Sequence, residues 1–590
     1  HYYNPYWGYQ DGKVRNSRVL TTHSPLLILS HDAKLGANTQ ITSAISYQTG
    51  ETAQTGIDWQ NAADPRPDYY RYLPSYVEDA NDRQEVYDYL KANPEMLQIK
   101  WDSLYEANRN NLNSGYGKAA YILNAAVENS HRLNAAVNLK SQVDEHTTLQ
   151  AGVNFQTQNN HNFLRIEDML GGGYWENINQ FAARTFGGII KDADKLNLLD
   201  KDIRRYQGDT YGYDYNIHFT KANWFAQGMF TYNKVDFFIA TELGFTNFYR
   251  VGNYQSGLYT TNSYGRSSTN TFFTPKVKGG LTYKINGRNY LYANGAIGQR
   301  APFVDNVIIS PRTRNEQIAN AATEKFSSAE VGYLLRSPNV KARITAYATQ
   351  VKGASDIRRF YRDDDYSFVS MSLQGINKQY TGLELGAEVK ISPSLTASFA
   401  GSFAQAFYTS RPYVNIYSDN EVGTQNTTLS GSPDTVYMKN YYVPSGPQTA
   451  MQLALNYRSK TYWYGTLSGN YMGNNWMDFA PTARTKDGVD NLVYGSDAWH
   501  NVIDQRKLPN VFTVDLNFGK SFKVDKYIHK ASNQTFLLLN VGITNLLNNR
   551  NINLYGFENL RVNTVNPAWF APKYAYALGA QYFINLSLRF

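Results

Sequence analysis

Apolar and polar residues alternate with a period of two along most of this 590-residue chain. That period belongs to a β-strand with one apolar face, because successive side chains of a strand point to opposite sides. The last residues, from Ile584 to Phe590, alternate in the same way and end on phenylalanine, which is typical of the closing strand of a transmembrane barrel. The pattern therefore predicts an all-β fold, a transmembrane antiparallel β-barrel with lipid outside and water inside.

The composition agrees with a barrel. The mean hydropathy is −0.51, yet 15% of the residues are aromatic and 48 are tyrosine. No stretch of sequence approaches the ~20 apolar residues that a transmembrane helix requires. In a barrel only alternate residues face lipid, and Tyr and Trp collect at the two membrane surfaces. Because cysteine is absent, disulfides and thiolate metal sites are excluded.

The formal net charge is +8, and the basic residues are dispersed along the chain. Such a charge allows contact with an acidic ligand or with the anionic lipid and lipopolysaccharide of an outer membrane, or it is an ordinary surface balance. Since no basic run occurs, we expect no nucleic-acid partner.

Tight turns join the alternating segments in pairs, which predicts β-hairpins. In the clearest pair, Leu133 and Val137 share an apolar face with Val153 and Phe155 of the next strand. Asn286-Gly287 is the dipeptide favoured in a type I′ hairpin turn. The other turns are predicted at residues 36–39, 144–146, 233–234, 337–339, 392–394 and 459–460, and a last hairpin joins residues 512–518 to 537–543.

Eight hairpins and a closing strand from Lys573 to Phe590 make seventeen strands, an odd number. Bacterial single-chain barrels have an even number, with short turns in the periplasm and long loops outside. If the closing strand descends, the first one, near residues 24–35, also descends, so an upward strand is expected before His1. His1 is followed by no charged and apolar leader. We therefore expect residues 1–590 to be one outer-membrane barrel domain, incomplete at its N-terminus.

The long connections are candidate ligand-binding loops. Rings stack on sugars or flat ligands, while Arg and Asp fix polar groups; the alternative is a self-packed loop with a tyrosine girdle. Asn93-Pro94-Glu95 in the first long loop indicates a helix start, with Asn93 as the N-cap. The candidate ligand-binding residues are Asp64, Arg66, Tyr69, Tyr70, Tyr72 and Trp476.

Motifs for metal binding or catalysis are weak. Asp363-Asp364-Asp365 offers oxygen ligands for Ca²⁺ but lacks the spacing of an EF-hand, so a solvated acidic loop is the favoured interpretation. The nine histidines form no metal-binding spacing, and neither a Gly-x-Ser-x-Gly elbow nor a phosphate-binding loop occurs. The sequence predicts no enzyme, no cofactor and no metal site.

Four segments carry a resemblance to a known family. They are Arg300-Ala301-Pro302-Phe303, the stretch from Thr323 to Tyr333 with its Glu-x-Gly-Tyr end, the stretch from Gly375 to Leu385 with its Asn…Gly-x-Glu strand entry, and Val541-Gly542-Ile543-Thr544-Asn545-Leu546-Leu547-Asn548. Their order before the terminal phenylalanine resembles that of the TonB-dependent receptors. In the N-terminal half, the segments from Asn4 to Lys13 and from Asp64 to Tyr70 are similar to the large-loop receptors of Bacteroidota. Thr323 and Leu547 stand where the family usually has Pro and Phe.

The resemblance implies a barrel of the 22-stranded class whose lumen holds a plug, with long extracellular loops and some helix. On this resemblance we expect the plug, the first strands and the N-terminal segment that contacts a TonB-type energiser to precede His1. The implied function is energy-coupled import of a nutrient or chelate, of the glycan, peptide or siderophore class, across the outer membrane of a Gram-negative bacterium. The alternatives are a passive porin and an outer-membrane scaffold that partners a surface lipoprotein.

Overall fold

The computed structural model describes residues 3–362, 367–420, 434–444, 446–524, 535–561 and 567–589. The acidic run Asp363-Asp364-Asp365 and the terminal Phe590 lie outside the described residues. Within the described ranges, no helix is both long enough and apolar enough to cross a membrane.

Seventeen long strands form one antiparallel sheet in which each strand pairs with its neighbours in sequence. The seventeen strands agree with the eight predicted hairpins and the closing strand. Their bounds are β1 Leu26–Lys34, β2 Thr39–Trp59, β3 Tyr121–Gln142, β4 Thr147–Asp168, β5 Thr210–Thr231, β6 Val235–Gly252, β7 Lys276–Lys284, β8 Asn289–Arg300, β9 Glu324–Arg336, β10 Val340–Arg362, β11 Ser367–Ser392, β12 Leu395–Tyr408, β13 Thr449–Arg458, β14 Trp463–Gly473, β15 Val511–Lys523, β16 Phe536–Thr544 and β17 Gln581–Arg589.

Five short segments continue the same sheet and bring it to 22 segments. They are Leu20–His23, Gly265–Arg266, Asn270–Phe273, Tyr413–Ser418 and Asp434–Thr435. Three small hairpins lie in the loops: Trp7–Gln10 with Lys13–Asn16, Trp175–Glu176 with Arg204–Arg205, and Asn553–Phe557 with Lys573–Tyr576. The last of these corrects the predicted closing strand, because Lys573–Tyr576 pairs within a loop and the wall strand begins only at Gln581.

The helices lie in the long loops between strands. The predicted helix start at Asn93 is wrong in detail: α1 ends there, and its N-cap is Asp79, whose carboxylate accepts from two backbone N–H groups. Asn93 begins only a short 3₁₀ turn. The helices are α1 Ala80–Ala92, α2 Trp101–Asn113, α3 Gln180–Phe186, α4 Lys486–Val489 and α5 Asp497–Ile503, with 3₁₀ turns at Tyr70–Tyr72, Pro74–Tyr76, Pro94–Leu97, Val304–Asn306, Pro481–Arg484 and Pro567–Phe570.

The sheet curves round until loops from its two ends touch. The loop after β2 contacts the segment before β17, where Lys573 Nζ lies 2.5 Å from Asp68 Oδ2 and the rings of Tyr70 and Phe570 are 4.8 Å apart. The curved sheet forms the wall of a barrel whose inner face surrounds a lumen.

Side chains alternate between the two faces of the wall as the sequence predicts. Val137 and Val153 are paired and both point outward, where they are exposed. Polar residues occupy the intervening, inward positions, and oppositely charged ones pair across strands, as Glu242 does with Lys276 at 2.7 Å. The inner face is therefore polar and the outer face apolar.

Short polar side chains close the turns between hairpin strands. Asp144 Oδ1 accepts from the backbone N–H groups of His146 and Thr147, and Ser392 Oγ closes its own turn in the same way. Asn286 Oδ1 likewise accepts from Arg288 and Asn289. The predicted type I′ turn at Asn286-Gly287 is therefore wrong: neither residue has positive φ, and the turn depends on the Asn286 side chain instead.

Two neighbouring residues of β13 that point to opposite faces of the wall allow the assignment of the faces to be tested. Leu453 points outward midway along β13, whereas Gln452 points inward and donates to Asn470. We expect Leu453→Arg to lower the free energy of unfolding in lipid vesicles by about 2–4 kcal/mol, because it buries a charge in hydrocarbon. Gln452→Arg is the matched control and should cost much less in the same urea titration; equal losses would contradict the assigned faces.

Candidate functional site

The loop between β8 and β9, residues 301–323, folds into the lumen. Its apolar run includes Val307 and Ile309, which are completely buried against Phe248 of β6 and Ile357 of β10. Burial of these side chains away from water supplies the driving force for this inward fold. The loop thereby narrows the barrel on its extracellular side.

Two wall arginines hold the backbone of this loop. Arg359 of β10 donates to the carbonyl oxygens of Ile309 at 2.9 Å and Ile308 at 2.8 Å. Arg250 of β6 donates to the carbonyl of Pro311 and to Asn315 Oδ1, both at 2.6 Å. These guanidinium groups satisfy carbonyl oxygens that a buried loop otherwise leaves without partners.

A buried ion-pair cluster fixes the middle of the loop. Arg314 contacts Asp419 at 2.9 Å and Glu316 at 2.5 Å, and its guanidinium lies 4.6 Å from the ring of Tyr259. Burial alone would lower the pKa of Arg314, but Tyr259 and the two carboxylates together raise it above its ordinary value. The guanidinium therefore stays protonated and joins the loop to the segment after β12.

The inward loop and the wall strands β2–β6, β10 and β11 line a cavity of about 1260 Å³. Its lining combines aromatic rings with amides and carries basic residues from several strands. Gln60, which lines this cavity, is buried, and its side-chain nitrogen donates to the carbonyl of Glu176 at 2.8 Å. At its edge, burial raises the pKa of Tyr254 to about 12. The rings are Trp175, Phe181, Tyr211, Tyr213, Tyr215, Phe219, Tyr254, Tyr259, Phe303 and Phe368, and the charged lining residues are Asp58, Glu128, Arg132, Lys221, Arg250, Asp305, Arg312, Arg359 and Asp419.

One wall of the cavity is a row of amides on β4. Gln156, Gln158, Asn160 and Asn162 occupy successive inward positions. Arg132 of β3 donates to Gln158 Oε1 at 2.9 Å, and Gln158 Nε2 donates to Asn160 Oδ1 at 2.7 Å. Such a row offers both donors and acceptors to a polar ligand. The period-two pattern predicts an inward side chain at Gln156 alone of these four, because the residues that alternate with Gln158, Asn160 and Asn162 are Thr157, Asn159 and His161 and not apolar.

Five of the six predicted ligand-binding residues lie together in the extracellular loop after β2. Arg66 pairs with Asp64 at 2.5 Å, and the hydroxyl of Tyr72 donates to the carbonyl of Asp64. The ring of Tyr69 packs edge-on against Tyr70 and Tyr72, at 4.8 and 5.3 Å. The loop is therefore packed on itself, and ligand contact by these residues stays a prediction.

Trp476 lies apart from that loop. Its ring stacks on Tyr442 at 4.6 Å, and Tyr442 bridges to Phe407, so the two side chains share one side of the sheet. Phe407 lies four residues after the lipid-facing Phe403 on the same strand, so both side chains point outward. Trp476 is thus part of an aromatic group near the outer surface of the wall. No described contact joins it to the other five residues.

Metal-binding groups are not found. In the part of the chain that the structure describes, no three His, Asp or Glu side chains gather in a way that could hold a metal ion.

Comparison with solved structures gives the same architecture. The ferric citrate transporter FecA matches with a TM-score of 0.55 and 9% identity over 97% of this chain and 63% of its own. The copper transporter OprC matches with a TM-score of 0.54 and 11% identity over 97% of this chain and 67% of its own. BauA, the ferric preacinetobactin receptor from Acinetobacter baumannii, matches with a TM-score of 0.52 and 10% identity over 96% and 63%.

The chain has the barrel fold of the TonB-dependent receptors. No protein-family model matches the sequence, and no curated protein matches it. This receptor-type barrel spans about two thirds of the length of the three solved structures. The three structures are those of two transporters and a receptor. The fold and the apolar outer face assign the receptor-type barrel to the outer membrane.

Two of the four family-like segments lie next to each other in this fold. Arg300 at the end of β8 pairs in register with Glu324 at the start of β9, and their side chains lie 2.5 Å apart. The two residues flank the loop that enters the lumen. The spacing between these two segments of the receptor-type barrel therefore equals the length of that loop.

The ion-pair cluster can be tested through the loop that it holds. Arg314→Ala should destabilise the inward position of residues 301–323 by about 3–5 kcal/mol, because Asp419 and Glu316 stay buried without their cation. Limited proteolysis in detergent should then cut this loop faster than in the unsubstituted protein. Arg66→Ala, which removes a half-exposed arginine from another loop, is the control; an unchanged cleavage rate for Arg314→Ala would contradict the assignment.

Proposed function

We propose that the chain is the barrel of an energy-coupled importer that takes a nutrient or chelate across the outer membrane. The observation that carries the proposal is the cavity of about 1260 Å³ inside the lumen. Typical small-molecule pockets hold roughly 300–1,000 Å³, so this cavity has room for a ligand larger than most metabolites. A passing ligand meets it on the way from the loops to the lumen.

The chemistry of the lining supports a polar ligand with flat or ring-shaped parts. Tyr213 and Tyr215 offer ring faces, and the β4 amides offer hydrogen bonds in both senses. Arg312 is exposed and lies 4.9 Å from the Tyr213 ring. Glycans, peptides and chelates with carboxylate or catechol groups all suit this combination.

The solved structures of the same fold support import of chelates in particular. FecA is a ferric citrate transporter, BauA a ferric preacinetobactin receptor and OprC a copper transporter. In those proteins the ligand is a metal ion or its complex. We extend a transport role, and not a particular ligand, to this chain.

Arg312 provides a test of the cavity as the ligand site. Arg312→Ala should reduce binding and uptake of the transported compound by about ten-fold or more, because one charge-assisted hydrogen bond to the ligand is lost. Uptake by cells that express the protein, with a panel of iron chelates and oligosaccharides, measures the effect.

Arg266→Ala is the matched control for this experiment. Arg266 also stacks on a tyrosine, at 3.7 Å from the ring of Tyr249, but on the outer face of the wall. It should leave uptake unchanged. If both variants take up every compound as the unsubstituted protein does, the cavity is not the ligand site, and the predicted residues Asp64, Arg66, Tyr69, Tyr70, Tyr72 and Trp476 become the sites to test next.

Energy coupling separates an importer from a passive porin. Deletion of the cell's TonB-type energiser should abolish uptake through the full-length protein, because force on a plug is needed to open the lumen. The initial uptake rate of the labelled compound, at equal amounts of protein in the membrane, measures this. Uptake that continues at the same rate without the energiser favours the porin. Failure of any compound to enter, together with a surface lipoprotein that co-purifies in equal amount, favours the scaffold.

A further inference from the structure

Two lysines lie directly opposite each other on the outer face of the wall. Lys325 of β9 pairs in register with Lys352 of β10, and both side chains are exposed. Lys325 follows the outward series of Val331, Ala329 and Ser327, while Glu324 and Glu330 point inward. Lys352 follows the outward Ile344 in the same way. Both ammonium groups therefore face the membrane and not the lumen.

The position along the strands puts the pair at the extracellular membrane surface. Lys325 lies ten residues before Leu335, and Lys352 lies ten residues after Ala342, with the short turn at residues 337–339 beyond them. A tilted strand of about 9–11 residues crosses the hydrocarbon. The apolar outward positions lie between the turn and the lysines. The two lysines therefore lie at the level of the lipid headgroups.

The pair has no carboxylate partner among the described residues. The outward neighbours in register are neutral: Gln299 beside Lys325, and Gln350 and Gln379 one step below. The nearest acidic side chain in sequence, Glu324, is turned inward and bound to Arg300. Like charges placed directly opposite each other in a sheet repel, so this arrangement destabilises the hairpin unless an anion lies between them.

We propose that Lys325 and Lys352 form a binding site for a phosphate of the outer-leaflet glycolipid, a lipid A phosphate. Two ammonium groups on adjacent strands can donate to oxygens of one phosphate, in charge-assisted hydrogen bonds. Gln299 adds an amide beside them, since its carbonyl oxygen accepts from Thr323 and its nitrogen is left to donate. The site lies on the lipid side and is independent of the proposed import.

The extracellular position selects the glycolipid over other anionic lipids. The outer leaflet of a Gram-negative outer membrane consists mainly of lipopolysaccharide, whose phosphates lie next to the hydrocarbon. Glycerophospholipids occupy the opposite leaflet. There, Lys520 points outward near the periplasmic turns, with its ammonium 4.6 Å from the ring of Trp463. Lys520 therefore serves as the control, because it is an outward lysine whose in-register neighbours are Trp463 and Leu539 and not a second lysine.

The test measures lipid binding to the protein purified from outer membranes in detergent and stripped of lipid. Bisphosphorylated lipid A is titrated into the unsubstituted protein, into the double variant K325Q/K352Q and into K520Q, with bound lipid counted by native mass spectrometry. We expect the double variant to bind lipid A at least about ten-fold more weakly, because it loses two charge-assisted hydrogen bonds. K520Q should bind as the unsubstituted protein does.

Two further measurements separate the site from general attraction and from a structural role. Dephosphorylated lipid A and phosphatidylglycerol should bind the unsubstituted protein no better than the double variant binds lipid A. Without lipid, Lys325→Gln should keep or raise the midpoint of thermal unfolding, since it removes repulsion; with lipid A it should lose the stabilisation. Equal lipid A binding by the double variant, or binding of phosphatidylglycerol as tight as that of lipid A, overturns the proposal.

Discussion

Hydrogen bonding of the backbone in lipid is the constraint on which this structure depends. Hydrocarbon offers no partner to N–H and C=O groups, so a chain that crosses it without helices has to pair every strand with a neighbour. The antiparallel register from β1 to β17 pairs each strand with the next one across the apolar zone, and the two end strands, β1 and β17, are each paired in register on one side among the described residues. Irregular backbone occurs in the loops and in the lumen. Long loops are tolerated because only the wall has to satisfy this rule.

The lumen accommodates irregular backbone and charged side chains, which the lipid-facing side of the wall excludes. Residues 301–323 form a loop inside the barrel, and arginines of the wall bind its carbonyl oxygens. The same charged side chains on the outer face would each cost several kcal/mol near the bilayer centre. Inward positions therefore collect charges that hold a loop and line a cavity. The outward Lys325 and Lys352 lie beyond the apolar stretch of their strands.

The two faces give the barrel two kinds of recognition. Inside, rings, amides and arginines surround a cavity of about 1260 Å³, where ligand can be held by stacking and by directed hydrogen bonds. Outside, a pair of like charges beside neutral glutamines has no partner in the described chain. A ligand in the lumen and a lipid on the wall would contact opposite sides of the same sheet. Neither requires the other.

The period of two in the sequence determined the barrel class, the number of wall strands and the face of residues such as Val137 and Gln156, because a strand's geometry is local. Only the tertiary structure decided which loop enters the lumen. Arg314 meets Asp419 across 105 positions of sequence, and the cavity combines strands from β2 to β11. Local patterns carry no such distances. For the same reason the sequence did not show that Trp476 lies apart from the loop of Asp64, and it did not single out Arg312, whose place at the cavity depends on where its loop folds.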